Sequence, residues 1–319
     1  MSNLDVAPGL TVCRTAADDH AVAELFAARE VPLGGVRGMR VDRVLPQRGL
    51  PTVGAWCFLD AFGPHDEAMR VPPHPHIGLQ TVTWPLVGEI HHRDSVGSDV
   101  LVRPGQLNLM TSGRGVAHSE FSPAGGAPLH GLQLWVALPG GHAGTDPAFE
   151  QHTALPRFTD GGLSATVFVG TLGDAVSPAT TFSPLVGADL VVAGGSAARL
   201  PLRQDFEYAL LAVTGSPVVA GVTVPRGQML YLGTGRAELA VSADGPVRAV
   251  LLGGEPFPDE LVMWWNFVGR SHDEIATARD DWEAGSDRFG VVGGQDGRRV
   301  PAPDLPNVRL TPRRRTRPR

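Results

Sequence analysis

Short apolar runs separated by turn residues fill most of the chain. Regularly spaced strands with glycine and proline breaks are typical of a β-sandwich or β-barrel. In the first half such runs lie at 40–45, 54–58, 80–86, 100–102, 107–110 and 129–138. In the second half they lie at 165–169, 190–192, 207–213, 228–232 and 248–252. The pattern predicts an all-β protein with few helices.

A helical pattern is confined to two segments. Val22, Leu25 and Phe26 fall on one face of a helix predicted over residues 15–30, behind a capping pair of Thr15 and Asp18. The second helix is predicted over 271–285. It begins with a Ser-His-Asp-Glu capping box at 271–274, and three apolar residues continue its buried face: Ile275, Ala278 and Trp282.

A weak internal repeat relates the two halves. Leu-Val-Gly at 86–88 and Arg-Pro-Gly-Gln-Leu at 103–107 have an echo in Val-Thr-Gly at 213–215 and Pro-Arg-Gly-Gln-Met at 225–229. Repeated units of this size indicate a duplicated fold, and chance similarity among glycine turns is the alternative. We expect a first barrel over residues 1–143, a second barrel with the C-terminal helix over 144–292, and a flexible Gly/Pro/Arg-rich tail over 293–319.

Composition narrows the chemistry. All 27 basic residues are arginines, so lysine Schiff bases, pyridoxal-phosphate attachment and a Walker A phosphate loop are excluded. The net charge of −6 makes nucleic acid an unexpected partner. Two cysteines form no disulfide framework and fit a reducing cytosol. We find neither a signal peptide nor a membrane span in the pattern and expect a cytoplasmic protein.

The informative chemistry lies in two half-motifs of the first half. His74-Pro-His76 is followed 42 residues after its second histidine by His118-Ser-Glu120. Alternate side chains of a strand share one face, so two such strands facing each other would bring three imidazoles and one carboxylate together. This donor set suits Fe(II), Mn, Ni, Cu or Zn and does not suit Ca²⁺. Exposed histidines on a strand are the simpler alternative, but two matched motifs favour a metal site.

Other polar residues allow two interpretations each. His91 and His92 point to opposite faces of any strand and are interpreted as solvated hairpin residues. Gln80, Arg114 and His130 are candidates for substrate contact or for support of the metal ligands. Their alternatives are a buried glutamine bonded to backbone, a structural ion pair and a residue at the barrel rim. Four tryptophans are expected in the core: Trp84, Trp135, Trp264 and Trp265.

The second half carries no comparable site. Residues 161–253 contain no histidine, and the positions that echo the metal motifs are apolar or uncharged. We therefore expect one barrel with a metal site and one without.

The motifs together resemble the pirin family of the cupin superfamily, over about residues 33–290. The matching text begins with His-Pro-His at 74–76 and Gly-Glu-Ile-His-His-Arg-Asp-Ser at 88–95. It continues with Met-Thr-Ser-Gly-Arg-Gly at 110–115, His-Ser-Glu at 118–120 and His-Gly-Leu-Gln-Leu-Trp-Val at 130–136. In the second half it includes Gly-Gly-Glu-Pro-Phe at 253–257 and Val-Met-Trp-Trp-Asn-Phe-Val-Gly-Arg-Ser at 262–271.

The resemblance implies a bicupin, two jelly-roll barrels packed together, with iron in the first barrel. It assigns the ligands to His74, His76, His118 and Glu120. It also implies a quercetin 2,3-dioxygenase activity, in which O2 opens a flavonol ring and carbon monoxide is released. Two departures concern substrate preference: Ile77 stands where pirins often have Arg, and Gln80 where they usually have Glu.

Three functions follow as hypotheses. The first is an Fe(II) dioxygenase acting on an aromatic substrate and O2, with Glu120 as the base that accepts the substrate proton. The second is a non-enzymatic regulator that binds a protein partner according to the oxidation state of the metal. The third is a metal enzyme that does not use O2, such as an isomerase.

Overall fold

The computed structural model describes residues 11–13 (backbone only), 21–32, 40–65, 68–123, 125, 128–295 and 298–312. Strands dominate this part of the chain. The strands of the first half are β1 (Thr11–Cys13), β2 (Ala21–Ala27), β3 (Arg29–Pro32), β4 (Arg40–Leu45), β5 (Trp56–His65), β6 (Arg70–His76), β7 (Leu79–Val87), β8 (Ile90–Asp94), β9 (Asp99–Val102), β10 (Leu107–Thr111), β11 (Val116–Phe121) and β12 (Leu129–Ala137).

The second half continues with the same short elements. A 3₁₀ turn at Gly140–His142 precedes β13 (Ala148–His152), β14 (Arg157–Asp160), β15 (Leu163–Leu172), β16 (Ala175–Val176), β17 (Leu185–Val192), β18 (Ser196–Pro201), β19 (Glu207–Thr214), β20 (Val218–Val219), β21 (Val222–Thr223), β22 (Gln228–Gly233), β23 (Glu238–Ala243), β24 (Val247–Gly254), β25 (Leu261–Trp264) and β26 (Phe267–Gly269). Helix α1 spans His272–Glu283.

These strands form two barrels of the same topology. In the first, a sheet of order β13-β10-β7-β12-β5-β4-β3 faces a sheet of order β6-β11-β8-β9. In the second, the order β2-β22-β19-β24-β17-β15-β14 faces β18-β23-β20-β21. The orders correspond strand for strand, which confirms the predicted duplication and the all-β fold. A small sheet, β1-β25-β26, lies outside both barrels.

The glycine turns of the sequence repeat occupy equivalent places. Gly88 and Gly215 follow β7 and β19, with φ of 81° and 72°. Gly105 and Gly227 precede β10 and β22, with φ of 77° and 76°. Residues other than glycine rarely adopt this left-handed conformation, so the repeated text marks the same two turns in each barrel.

Each barrel takes its outermost strand from the other half of the chain. β2 pairs with β22 of the second barrel, and β13 pairs with β10 of the first. A boundary between residues 143 and 144 separates β13 from the barrel to which it is hydrogen-bonded. The boundary itself stays a prediction.

The two barrels pack on each other through their large sheets. Trp56 and Trp84 both contact Phe168 at this apolar interface, with ring centroids 6.2 and 4.9 Å apart. The Trp84 indole also donates to Asp189 Oδ2 at 3.1 Å, and Gly54 N donates to the buried Glu207 at 2.6 Å. The four tryptophans expected in the core, Trp84, Trp135, Trp264 and Trp265, are all buried.

The prediction of a helix over residues 15–30 is wrong for the described part, because residues 21–27 and 29–32 are strands β2 and β3. The spacing of Val22, Leu25 and Phe26 fits a helix, but β2 instead pairs with the edge strand β22 of the second barrel, Leu25 opposite Leu230. The pairing of β2 with a distant strand thus determines its structure, and the helical spacing of its apolar residues does not. Thr15 and Asp18 lie outside the described residues.

The C-terminal helix is confirmed. Ser271 caps α1 by accepting a hydrogen bond from Glu274 N, and Ile275, Ala278 and Trp282 are buried. The Glu274 side chain accepts from Arg270 N, one residue before the position expected in a capping box.

The chain beyond the helix packs against the protein. Ala302 and Leu310 are buried, and Val300 N donates to Pro73 O at 2.8 Å. Residues 298–312 thus lie against the protein through apolar side chains between the prolines, and the flexibility of the segment 293–319 stays a prediction. Residues 313–319, with five arginines, lie outside the described residues. None of the described helices is long and apolar enough to cross a membrane.

Candidate metal centre

Three imidazoles converge inside the first barrel. β6 presents His74 and His76 to the interior, and the neighbouring strand β11 presents His118, which is paired with His74 in the register. The three side chains are buried. His118 Nε2 lies 2.7 Å from His74 Nε2 and 3.1 Å from His76 Nε2. The alternating geometry of two short strands therefore brings three ring nitrogens to one point.

The outer ring nitrogens determine which tautomer is present. His74 Nδ1 donates to Pro72 O at 2.8 Å, and His76 Nδ1 donates to Asn266 O at 3.0 Å. Because a carbonyl can only accept, each Nδ1 must carry the proton. In a neutral ring the Nε2 atom then presents a lone pair, so these two lone pairs point at the same place.

Burial keeps the rings neutral. It lowers the pKa of His74 to about 4, because the charged imidazole loses its hydration, although the hydrogen bond to Pro72 works in the opposite direction. Burial also lowers the pKa of His76 and of His118 well below the usual range, and the neighbouring histidines add to the effect. Converging lone pairs without a proton repel each other unless a cation lies between them. The residues therefore fit a first-row metal ion.

Glu120 adds a carboxylate to the cluster. It is fully buried, two residues after His118 on β11. Thr83 Oγ1, from the facing strand β7, lies 3.0 Å from Glu120 Oε1 and 3.0 Å from Gln133 Oε1, and donates its single proton to one of them. Ligand atoms of Glu120, His118 and His92 lie within 4.8 Å of one another. The carboxylate is thus held beside the imidazoles from the opposite sheet.

His92 was not expected here. It is buried rather than solvated: its Nδ1 lies 3.4 Å from His118 Nδ1, and its Nε2 lies 3.0 Å from Asp94 Oδ2. Its ring stacks on Phe149 at 4.6 Å. His91 does point the other way and pairs with Asp99 near the surface. One signal was available, because His92-x-Asp94 has the same two-residue spacing as the two metal motifs.

Asp94 is held as a carboxylate. Burial raises its pKa, but hydrogen bonds from His92 and Ser98 lower it more, and the result lies below the ordinary value. Its Oδ1 accepts from Val96 N at 3.0 Å and Ser98 N at 2.9 Å, within the turn between β8 and β9.

An aromatic wall leads away from the cluster along the large sheet. Trp135 packs edge-on against His76 at 5.3 Å, and Phe58 stacks on Trp135 at 4.1 Å. The Arg43 guanidinium lies 4.7 Å above the Phe58 ring and binds Asp60 with two hydrogen bonds of 2.9 Å. Burial raises the pKa of Asp60 despite this partner. The two rings are buried and stack on each other, and the row ends at the ion pair of Arg43 with the buried Asp60.

The remaining candidates lie away from the imidazoles. Gln80 is on the opposite side of β7 from Thr83 and donates to Thr111 Oγ1 and Thr180 O. Arg114 is exposed and pairs with Asp146. His130 is half-buried at the start of β12, and burial lowers its pKa, with Arg226 and Arg248 adding to the effect.

The second barrel has an apolar interior instead. In the described ranges, the groups of three or more His, Cys, Asp or Glu side chains close enough for one ion are His74 with His76 and His118, and His92 with His118 and Glu120. On the strands equivalent to β6 and β11, the second barrel presents buried Leu200 and Leu239 as register partners.

Two barrels of one topology, one with a buried His/Glu cluster and one packed with aliphatic side chains, define a two-domain cupin protein. The family comparison agrees: residues 38–136 match Pirin, and residues 187–290 match the Pirin C-terminal cupin domain. The chain belongs to the pirin family.

Curated relatives and solved structures agree with this assignment. The chain is 42% identical over 311 residues to a Pseudomonas aeruginosa protein named "Putative quercetin 2,3-dioxygenase PA1205", covering 96% of this chain and 98% of that protein. It is 36% identical over 292 residues to a pirin-like protein of Caulobacter vibrioides, covering 88% and 99%. The crystal structure of a quercetin 2,3-dioxygenase from Acinetobacter baumannii is similar with a TM-score of 0.85 and 40% identity, covering 90% of this chain and 96% of that one.

Proposed function

We propose that the chain is a metal-dependent dioxygenase of the quercetin 2,3-dioxygenase type, which opens the ring of a flavonol-like substrate with O2. The observation that carries the proposal is the convergence of the Nε2 atoms of His74, His76 and His118, with the buried carboxylate of Glu120 beside His118. The names of the Pseudomonas and Acinetobacter relatives support the reaction type.

We further propose Fe(II) as the ion, with His74, His76, His118 and Glu120 as its ligands. Mn, Ni, Cu and Zn share the same preference for nitrogen and oxygen donors, and metal analysis of the purified protein separates them. When bound, the ion supplies Lewis-acid polarisation of the substrate hydroxyl and an open coordination position for O2.

The protein's own residues orient the substrate and move its proton. Trp135 and Phe58 form a stacked aromatic pair beside His76, and we propose that the aromatic substrate packs against this pair. Glu120 is the base that accepts the hydroxyl proton, because it is the carboxylate that lies among the imidazoles. We assign the Thr83 proton to this carboxylate rather than to Gln133, so that Thr83 keeps Glu120 aligned. Burial of all these groups excludes bulk water from the deprotonated substrate.

The test is aerobic turnover of quercetin by the Fe(II)-loaded protein, followed as loss of the flavonol absorbance and as release of carbon monoxide. We expect turnover by the wild type and none by His74→Ala/His118→Ala. His91→Ala, in which a surface histidine of the same segment is removed, is the control and should match the wild type. A metal-loaded wild type that leaves quercetin unchanged in air would overturn the flavonol assignment. Turnover that continues without O2 would instead indicate an isomerase.

The role of Glu120 has its own test. Glu120→Gln keeps the size and shape of the side chain but removes the base, so kcat should fall on the order of 100-fold. Iron content is measured alongside, so that loss of metal is distinguished from loss of the base. An iron-loaded variant with unchanged kcat would contradict the role.

A further inference from the structure

The third imidazole of the cluster is supported differently from the other two. His74 and His76 donate from Nδ1 to the neutral carbonyls of Pro72 and Asn266. His118 has another imidazole behind it: its Nδ1 faces Nδ1 of His92 at 3.4 Å. His92 in turn places its Nε2 3.0 Å from Asp94 Oδ2. A line of three side chains thus runs from the cluster to a carboxylate.

The direction of the hydrogen bonds along this line follows from its far end. The Asp94 carboxylate can only accept, so His92 Nε2 must donate to it. With its ring proton on Nε2, His92 presents Nδ1 as the acceptor towards His118. The proton between the two histidines is therefore carried by His118 Nδ1, and His118 Nε2 presents its lone pair to His74 and His76.

The line is built into the fold at each step. Asp94 cannot rotate freely, because its other oxygen accepts from Val96 N and Ser98 N in the β8–β9 turn. The His92 ring stacks on Phe149, which belongs to the exchanged strand β13. β8 lies beside β11, with His118 opposite Asp94 in the register. His92 and Asp94 are both buried, so water does not compete for these bonds.

We propose that His92 and Asp94 are positioning residues that hold His118 in its metal-binding tautomer and increase its basicity through a carboxylate–histidine–histidine line. Carboxylates behind metal-bound histidines act in this way, and their removal typically weakens metal binding about 10- to 100-fold. The inference rests on the metal site of the proposed function and does not depend on the oxygenase reaction.

The first test needs no variant and uses the wild-type protein loaded with diamagnetic Zn(II). The ¹⁵N chemical shifts of the histidine side chains then report which ring nitrogen carries the proton. We expect His118 protonated at Nδ1 and His92 protonated only at Nε2. A proton on Nδ1 of His92 would overturn the proposal. This outcome is distinct from failure of the proposed function, which is measured by quercetin turnover.

The second test measures affinity for Co(II) and Fe(II) by competition with a chelator. His92→Phe keeps a ring against Phe149 but removes both nitrogens, and we expect metal affinity to fall 10- to 100-fold. Asp94→Asn removes the charge and places an amide N–H group opposite His92 Nε2. His92 must then carry its proton on Nδ1, so that its N–H group faces the N–H group of His118. Metal affinity should therefore fall at least as much in Asp94→Asn as in His92→Phe, although the side chain keeps its size.

The control is His91→Phe, which removes the adjacent His–Asp pair at the surface and should leave metal affinity within about twofold of the wild type. The midpoint potential of bound iron adds a readout that a purely structural role would not move: it should rise in His92→Phe and Asp94→Asn, because a less basic His118 stabilises Fe(III) less. Folded variants with wild-type affinity and potential would overturn the proposal.

Discussion

The two barrels share a strand order but fill their interiors in opposite ways. Between its sheets the first holds histidines, carboxylates and the hydroxyl of Thr83, whereas the second holds a continuous aliphatic core that includes Leu200, Leu210 and Leu239. Buried polar groups stabilise a fold only when they are paired, so the first barrel depends on its hydrogen-bond network. The second needs only to fill its volume. The same architecture thus encloses a buried polar cluster in one barrel and an apolar core in the other.

The largest effect is expected from an attempt to erase this difference. In Leu200→His/Leu239→His, imidazoles replace two paired residues of β18 and β23, the strands of the second barrel that correspond to β6 and β11. Without carbonyl or carboxylate partners, these rings should lower the free energy of unfolding by about 4 kcal/mol or more. Chemical denaturation gives the stability and metal analysis the stoichiometry, which should stay at one ion per chain. A second bound ion would show that strand geometry alone makes a site.

The second largest effect is expected from acid, which acts on the buried histidines of the first barrel. The pKa of His74 is about 4 in the folded protein, against 6.5 for an ordinary histidine. Between these pH values the unfolded chain binds a proton that the folded chain does not. The free energy of unfolding of the metal-free protein should therefore be constant above pH 6.5 and fall by about 3 kcal/mol towards pH 4 from this residue.

Hydrogen exchange locates the acid effect. While the protein stays folded, amides of β6 and β11 that exchange by local opening should lose protection between pH 7 and pH 5. Those of β18 and β23 should lose much less, because residues 161–253 contain no histidine. Equal loss in both barrels would contradict the assignment.

A smaller effect is expected from Thr83→Val, which keeps the shape of the side chain but removes the hydroxyl that lies 3.0 Å from both Glu120 Oε1 and Gln133 Oε1. The free energy of unfolding should fall by about 1 kcal/mol. This loss leaves the protein folded, so it does not lower kcat by itself. We expect kcat for quercetin to fall because the Glu120 carboxylate is less well aligned. The comparison is Ser177→Ala in the second half, which removes the bond to Phe168 O at 2.8 Å and should leave kcat unchanged. Equal kcat in both variants would show that Thr83 has only a structural role.

The smallest effect is expected at Ala220, which lies in the β20–β21 turn of the second barrel with a φ of 49°. Ala220→Gly relieves the left-handed strain of a residue with a Cβ, but gives the unfolded chain more freedom. The two terms nearly cancel, so thermal unfolding should show a change within about 1 kcal/mol and metal affinity should not change. A measurable change in metal affinity would mean that the turns of the second barrel act on the first.

The sequence predicts this molecule best where the signal is periodic and local. The spacing of His74, His76, His118 and Glu120 indicates two strand faces. The structure brings the three imidazoles together and places Glu120 near His118. The capped helix α1 is equally local. In β2, by contrast, the apolar spacing fits either kind of element, and only the edge of a distant barrel decides for a strand.

His92 and Asn266 show the second limit of sequence reasoning. Whether His92 is solvated or buried depends on which strand lies beside β8, and that neighbour, β11, follows about 25 residues later. Asn266 contributes its backbone carbonyl to His76 from 190 positions away, so its side chain carries no sign of the role. Register and backbone contacts across the fold are not encoded in the type of a single residue.

The exchange of outer strands has a consequence for how the protein loses its structure. β2 is followed directly by β3 of the first barrel, so β2 cannot leave the second barrel without disturbing the first. Removal of β13 exposes the β10 edge of the large sheet in the first barrel and takes Phe149 away from the His92 ring. The barrels should therefore melt in one cooperative transition rather than in two. An ion bound in the first barrel will then raise the melting temperature of the second, so that the barrel without a metal shares in the thermal protection that the other acquires.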